Sequence, residues 1–228
     1  MSEPERREIE RGREVERTIY FSDAVIAIAI TLLALELRLP QDLASGELVR
    51  HLVSLLPRLY TFLISFWVIA AYWMAHHRIF NYIRGYDNRL LRINFLFLMW
   101  IVLMPFSSSL IGGYGDLQLP LVIYVAHLML ASLTITWLGR HASQNPYLME
   151  PGVDPHAVRR QGNRRMWMML TVFALAIGVS FFSLTAAEFT LVLLFVARPE
   201  LLKRLTSRKG TLLWWERVFL PGSTFCPM

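Results

Sequence analysis

Asp23 is the residue around which polar chemistry could be organised. With Ser22 before it, it lies inside the apolar run from Ile19 to Leu35. An ionised group at membrane depth costs about 3 kcal/mol or more, so it normally faces protein or water and has a partner. A helix carrying that cost in its first turns is expected to be an inner helix, with the rest of the chain packed around it. His76, His77, Asn94 and Arg92 lie near the matching ends of the next two apolar runs and are candidate partners for Asp23 and Ser22. Arg17 is six residues back, about 120° round a helix, which makes it a poor direct partner. Such a cluster could orient the first helix or handle protons. Adjacent histidines point apart on a helix, so no metal site is expected at His76-His77.

The same helix carries a second pattern. Ile28, Leu32 and Leu35 recur at spacings of four and three, with Ala24 and Thr31 beside them. At 100° per residue Asp23 points about 140° away from Ile28. The helix therefore has one apolar stripe and a separate polar face. Both faces could pack within one subunit. Alternatively, symmetry copies of the helix could surround an axis, their apolar rings forming a narrow gate.

The positioning elements follow from composition. The 228 residues are 55% hydrophobic, above the roughly 45–50% of soluble domains. The excess sits in long uncharged runs, the mark of a polytopic all-α membrane protein. Six spans are expected, at about 20–38, 59–75, 93–111, 119–138, 166–183 and 186–197, with a short amphipathic connection over 41–56. The domains are a charged N-terminal segment 1–19, a six-helix region 20–198 and a C-terminal tail 199–228 bearing Trp214 and Trp215. Lys and Arg crowd the N-terminal segment, the second and fourth connections and the tail, so both termini are expected in the cytoplasm. The net charge of +6 then reports orientation. No motif that reads nucleic acid accompanies it, and no nucleic-acid partner is expected. Cys226 alone permits no internal disulfide or cysteine metal cluster. The N-terminal tail is too charged for a signal peptide. No nucleophile triad or phosphate-binding loop occurs in a suitable context, so neither an enzyme nor a cofactor is expected. The absence of a visible internal duplication weighs against a secondary transporter.

Gly113-Tyr114-Gly115-Asp116 matches the tail of the potassium-channel filter. Ile111 and Gly112 stand where that filter needs Thr-Val, and the connection is too short for a pore helix. It reads as a tight extracellular turn.

Arg17-x-x-x-Phe21-Ser22-Asp23, followed by Ala27-Ile28-Ala29-Ile30-Thr31-Leu32-Leu33, resembles the signature of the transmembrane protein 175 family. Tyr72-Trp73-x-x-His76-His77 and Asn94-Phe95-Leu96-Phe97-Leu98 with Pro105-Phe106 look like that family's second and third helices. The similarity is clear over roughly residues 13–115. It implies a potassium-permeable channel without a Thr-Val-Gly-Tyr-Gly filter. For a single six-helix unit it implies a prokaryotic homotetramer in the cell membrane, with the first helix lining the pore. On that resemblance Ile28, Leu32 and Leu35 align with the pore's apolar layers and Thr31 with a pore threonine. Arg17, Ser22 and Asp23 carry over as an inter-helix polar network, in which His76, His77 and Asn94 are the expected partners. The implied partners are potassium ions, other monovalent cations or protons, the lipid bilayer and further copies of the chain. Outer acids such as Asp42 and Glu47 would raise local cation concentration. A proton channel or leak, and a non-channel transporter or assembly factor, are the alternatives.

Overall fold

The computed structural model describes residues 3–39, 46–183, 186–187 and 190. One compact unit takes in Met1–Val192; a second, Leu193–Met228, lies outside the described residues. All named elements are helical: α1 (Glu3–Leu33, extended by a 3-10 turn over Ala34–Glu36), α2 (Leu48–Ser54), α3 (Leu56–Phe80), α4 (Asn88–Tyr114), α5 (Gln118–Gln144) and α6 (Pro155–Ser180). Four segments are long and apolar enough to cross a membrane: Arg13–Glu36, Leu56–Phe80, Asn88–Tyr114 and Gln118–Gln144.

These helices are longer than their apolar cores because local chemistry sets their ends. Asp87 caps α4 by accepting from the Leu90 backbone N–H at 2.6 Å. Asp154 does the same for α6 from His156 at 2.9 Å, with Pro155 in the first turn. Such caps satisfy helix-end donors that would otherwise have no partner. The fifth expected span, 166–183, falls in α6, which starts eleven residues earlier at Pro155, carries Arg159, Arg160, Arg164 and Arg165 on its first half and is not among the four helices apolar enough to cross a membrane. The sixth expected span lies largely outside the described residues, as do Asp42, the C-terminal tail with Trp214 and Trp215, and Cys226. The glycine-tyrosine turn is shorter than expected: Gly112, Gly113 and Tyr114 complete the last turn of α4.

Packing runs from α1 to α3 and α4, from α4 to α5, and from α5 to α6. Within the subunit the inner helix is α5, not α1. The apolar window of α5 is 56% buried, against 22% for that of α1. The expectation of α1 as the inner helix therefore does not hold for one chain, because a whole face of α1 is left uncovered.

Between the helices, polar side chains find one another. Ser65 donates to Ser108 at 2.8 Å and lies 3.1 Å from the Tyr124 hydroxyl. Tyr72 donates to the Leu128 carbonyl at 2.6 Å, beside Ser132. His127 Nε2 donates to the Trp100 carbonyl at 2.7 Å, and its Nδ1 lies 2.8 Å from Ser107. In a bilayer such groups have no water to turn to, so cross-helix pairing fixes which faces meet.

At the arginine-rich end two loops are clamped together. Ile83 and Met149 form an isolated antiparallel bridge. The Arg84 amide donates to the Leu148 carbonyl at 2.9 Å, and the Glu150 amide to the Tyr82 carbonyl at 2.9 Å. Beneath them Val15 of α1 joins Phe80, Leu90, Leu138 and Leu148 in one apolar cluster.

Candidate functional site

The two faces of α1 have different fates. Ser22, Ile26, Ala29 and Leu33, at spacings of four, three and four, are buried against α3 and α4. The opposite stripe has no cover: Ile28 is 59% exposed, Leu32 37% and Leu35 50%. Thr31 lies on this uncovered side and donates its hydroxyl proton to the Ile28 carbonyl at 2.8 Å. Its oxygen lone pairs remain on the stripe.

The buried face is held by a directed chain of hydrogen bonds. Ser22 donates to the Thr18 carbonyl at 2.8 Å and accepts from Asn94 Nδ2 at 2.9 Å. Asn94 Oδ1 then accepts from His76 Nε2 at 2.9 Å. Because the Ser22 proton is committed to a carbonyl, the Asn94 amide must donate to Ser22. Its oxygen must therefore face the histidine, which places the imidazole proton on Nε2. His76 Nδ1 is buried with no partner. The ring is fixed between Phe80 and Phe97, with centroids 4.4 Å and 5.6 Å away.

Asp23 takes a different partner. Its Oδ1 accepts from Trp73 Nε1 at 2.8 Å, and Trp73 stacks on His77 at 5.6 Å. Asp23 is half-buried and His77 exposed. Ser22, Asn94 and His76 are thus brought together, while Asp23 and His77 meet on Trp73. Arg17 stands outside both groups, its side chain 77% exposed and 3.4 Å from Glu14 on the same helix. Five residues before Ser22, it points about 140° away from the buried face. Arg92 donates to the Asn88 carbonyl of its own helix and is exposed.

Sequence reasoning passed over two contributors. Trp73 was read only within a motif, although an indole N–H inside a span needs an acceptor. Asp87 is the other, and its signal is an Asp placed just before an apolar helical run, where it caps. Asp87 also holds His141 Nε2 at 2.9 Å and the Tyr147 hydroxyl at 2.9 Å. Partial burial pushes the Asp87 carboxyl up, but the hydrogen bonds from Leu90, His141 and Tyr147 outweigh it and hold it below its ordinary value. The same bond to Asp87 raises the Tyr147 phenol.

An all-helical bundle with several apolar helices, polar groups paired between them and exposed apolar side chains along the outer faces of those helices defines a multi-pass membrane protein. Comparison with known proteins places it further. The profile of the family described as endosomal/lysosomal potassium channel TMEM175 matches residues 17–105. A potassium channel of Chamaesiphon minutus is 32% identical over 195 residues, 82% of this chain and 96% of that relative. A potassium channel of Streptomyces collinus is 30% identical over 77% of this chain and 87% of its own. The human endosomal/lysosomal proton channel TMEM175 is 25% identical over 79% of this chain, but over 37% of its own. The crystal structure of a lysosomal potassium-selective channel TMEM175 homolog from Chamaesiphon minutus superposes with a TM-score of 0.70 at 29% identity. It covers 86% of this chain and all of that one.

The chain belongs to the TMEM175 family, whose members are channels and not enzymes.

Proposed function

We propose that four copies of this chain form a potassium-permeable channel, with α1 of each copy facing the central axis. The observation that carries this reading is the uncovered stripe of Ile28, Leu32 and Leu35 on a helix whose other face is hydrogen-bonded into the subunit. An apolar face with no cover in one chain needs lipid or another copy against it. Closed symmetry around α1 converts the stripe into stacked apolar rings. Such rings resist wetting when narrow and pass ions when wide. The bacterial relatives named as potassium channels support potassium as the permeating ion. Thr31 supplies an oxygen within the stripe. Arg17 lies on the exposed side, where a neighbouring copy could meet it. The Ser22–Asn94–His76 chain acts as the anchor that fixes the stripe's direction. Both termini face the cytoplasm of a prokaryotic cell, as the Arg and Lys distribution directs.

Proton conduction through the same pore is the second reading, favoured by the human relative's name as a proton channel. A planar-bilayer recording of the purified protein under potassium–sodium bi-ionic conditions, repeated with a pH gradient, separates the two. A reversal potential that follows potassium supports the proposal. One that follows only pH supports the second reading, and no single-channel current removes both.

A further inference from the structure

At the arginine-rich end, α3, α5 and α6 line an open groove whose cavity is about 100 Å³. Four cations converge on it: Arg78 from the last turns of α3, Arg140 from the end of α5, and Arg159 and Arg165 from α6. No carboxylate is among its described lining residues. Arg78 Nε is buried with no hydrogen-bond partner. A buried donor left without an acceptor is costly, so an acceptor from outside the chain would relieve it. The floor is apolar. Ile135 and Met169 continue the groove, with Met166 next to Arg165. From Arg140 to Ser132, both lining residues, α5 descends about 12 Å at 1.5 Å per residue.

A cationic rim above an apolar slot, between helices at membrane depth, matches one molecule in both halves. We propose that this groove binds an anionic phospholipid, its phosphate held by Arg78, Arg140 and Arg159 and one acyl chain lying along Ile135 and Met169. Guanidinium groups suit phosphate because their planar donor fork pairs with two of its oxygens. Basic pockets between helices on the cytoplasmic side are a recurrent headgroup site. The inference rests on the positive-inside orientation above, and on no assumption about conduction.

The test is native mass spectrometry of the purified full chain, incubated with equal amounts of phosphatidylglycerol and phosphatidylcholine of the same acyl chains. Phosphatidylglycerol should be retained preferentially. Arg78→Gln and, separately, Arg159→Gln should each lower its retention roughly fivefold, the share of one arginine near an anionic headgroup. Arg159 lies exposed on the rim, so its variant should fold even if the Arg78 variant does not. Arg89→Gln with Arg92→Gln removes two charges at the start of α4 and should leave retention unchanged. Equal retention of the two lipids overturns the site, as does an equal loss in the Arg89/Arg92 variant. Displacement of the lipid by inorganic phosphate would reassign the groove to a free anion and also overturn it. A protein that conducts potassium but shows no lipid preference would refute this inference while leaving the channel reading intact.

Discussion

Asn94 Nδ2 sits 2.9 Å from Ser22 Oγ, joining α4 to α1 across a region from which water is excluded. Asn94 is the middle member of a chain in which each group has one available role. Removing it as Asn94→Ala leaves the Ser22 lone pair and the His76 Nε2 proton buried without partners. Each orphaned group costs about 1–3 kcal/mol. The variant should therefore melt earlier than wild type in detergent, by differential scanning fluorimetry, and should assemble less completely on size exclusion. An unchanged midpoint would show that the chain contributes nothing to holding α1.

Ile28 is the most exposed of the three stripe residues. If the stripe lines a pore, Ile28→Asn places polar groups in each ring and lowers the dewetting barrier. Potassium flux into liposomes should rise about tenfold, the change given by ~1.4 kcal/mol in a barrier. Phe106 is as uncovered as Ile28 but on α4, so Phe106→Asn is the matched control and should leave flux unchanged. Flux that ignores Ile28→Asn would remove this residue from the gate.

Tyr114 belongs to the last turn of α4 and is 60% exposed. Its place in a continuous helix end leaves no re-entrant backbone from which carbonyls could line a path. Tyr114→Ala should leave the bi-ionic reversal potential where it was. A shift towards non-selectivity would revive the filter reading of Gly113-Tyr114-Gly115.

Asp87 links pH to stability at the arginine-rich end. Its folded pKa is depressed, so its contribution is complete above the ordinary carboxylate value of about 3.9 and is lost as pH falls through the lowered one. Asp87→Ala should cost about 1 kcal/mol as a lost helix cap, together with the ties to His141 and Tyr147. The gap in melting temperature between wild type and variant should be steady from neutral pH to about pH 4 and narrow below it. A gap that stays constant into strong acid would show that the charge plays no part.

The sequence revealed the helices more readily than their caps and partners. Apolar runs such as 93–111 are long and uninterrupted, and a bilayer leaves them only one backbone conformation, so α4 was legible. Its true start at Asn88 was not, because Asp87 acts through one side-chain bond and not through hydropathy. Periodicity separated Asp23 from Ile28 because 100° per residue is a property of the backbone. It gave no hint that Trp73 would claim Asp23, since which neighbour a side chain meets depends on how two helices cross. Ser65, Ser108 and Tyr124 went unread for the same reason: they are distant in sequence, and only the crossing of α3, α4 and α5 brings them together. The uncovered stripe itself could not be read as uncovered, because one sequence does not show what fails to pack against it.

The 31 residues of α1 run without a break from Glu3 to Leu33, about 46 Å of helix at 1.5 Å per residue. A bilayer core accounts for only about 30 Å of that. The remainder is a charged extension, coaxial with the segment that bears Ile28 and Leu32. An unbroken helix resists bending and torsion, so the orientation of the charged end and that of the apolar stripe are set together. Val15, packed in the cluster beneath the clamped loops, and Ser22, bonded to Asn94, hold that rod at two points along its length.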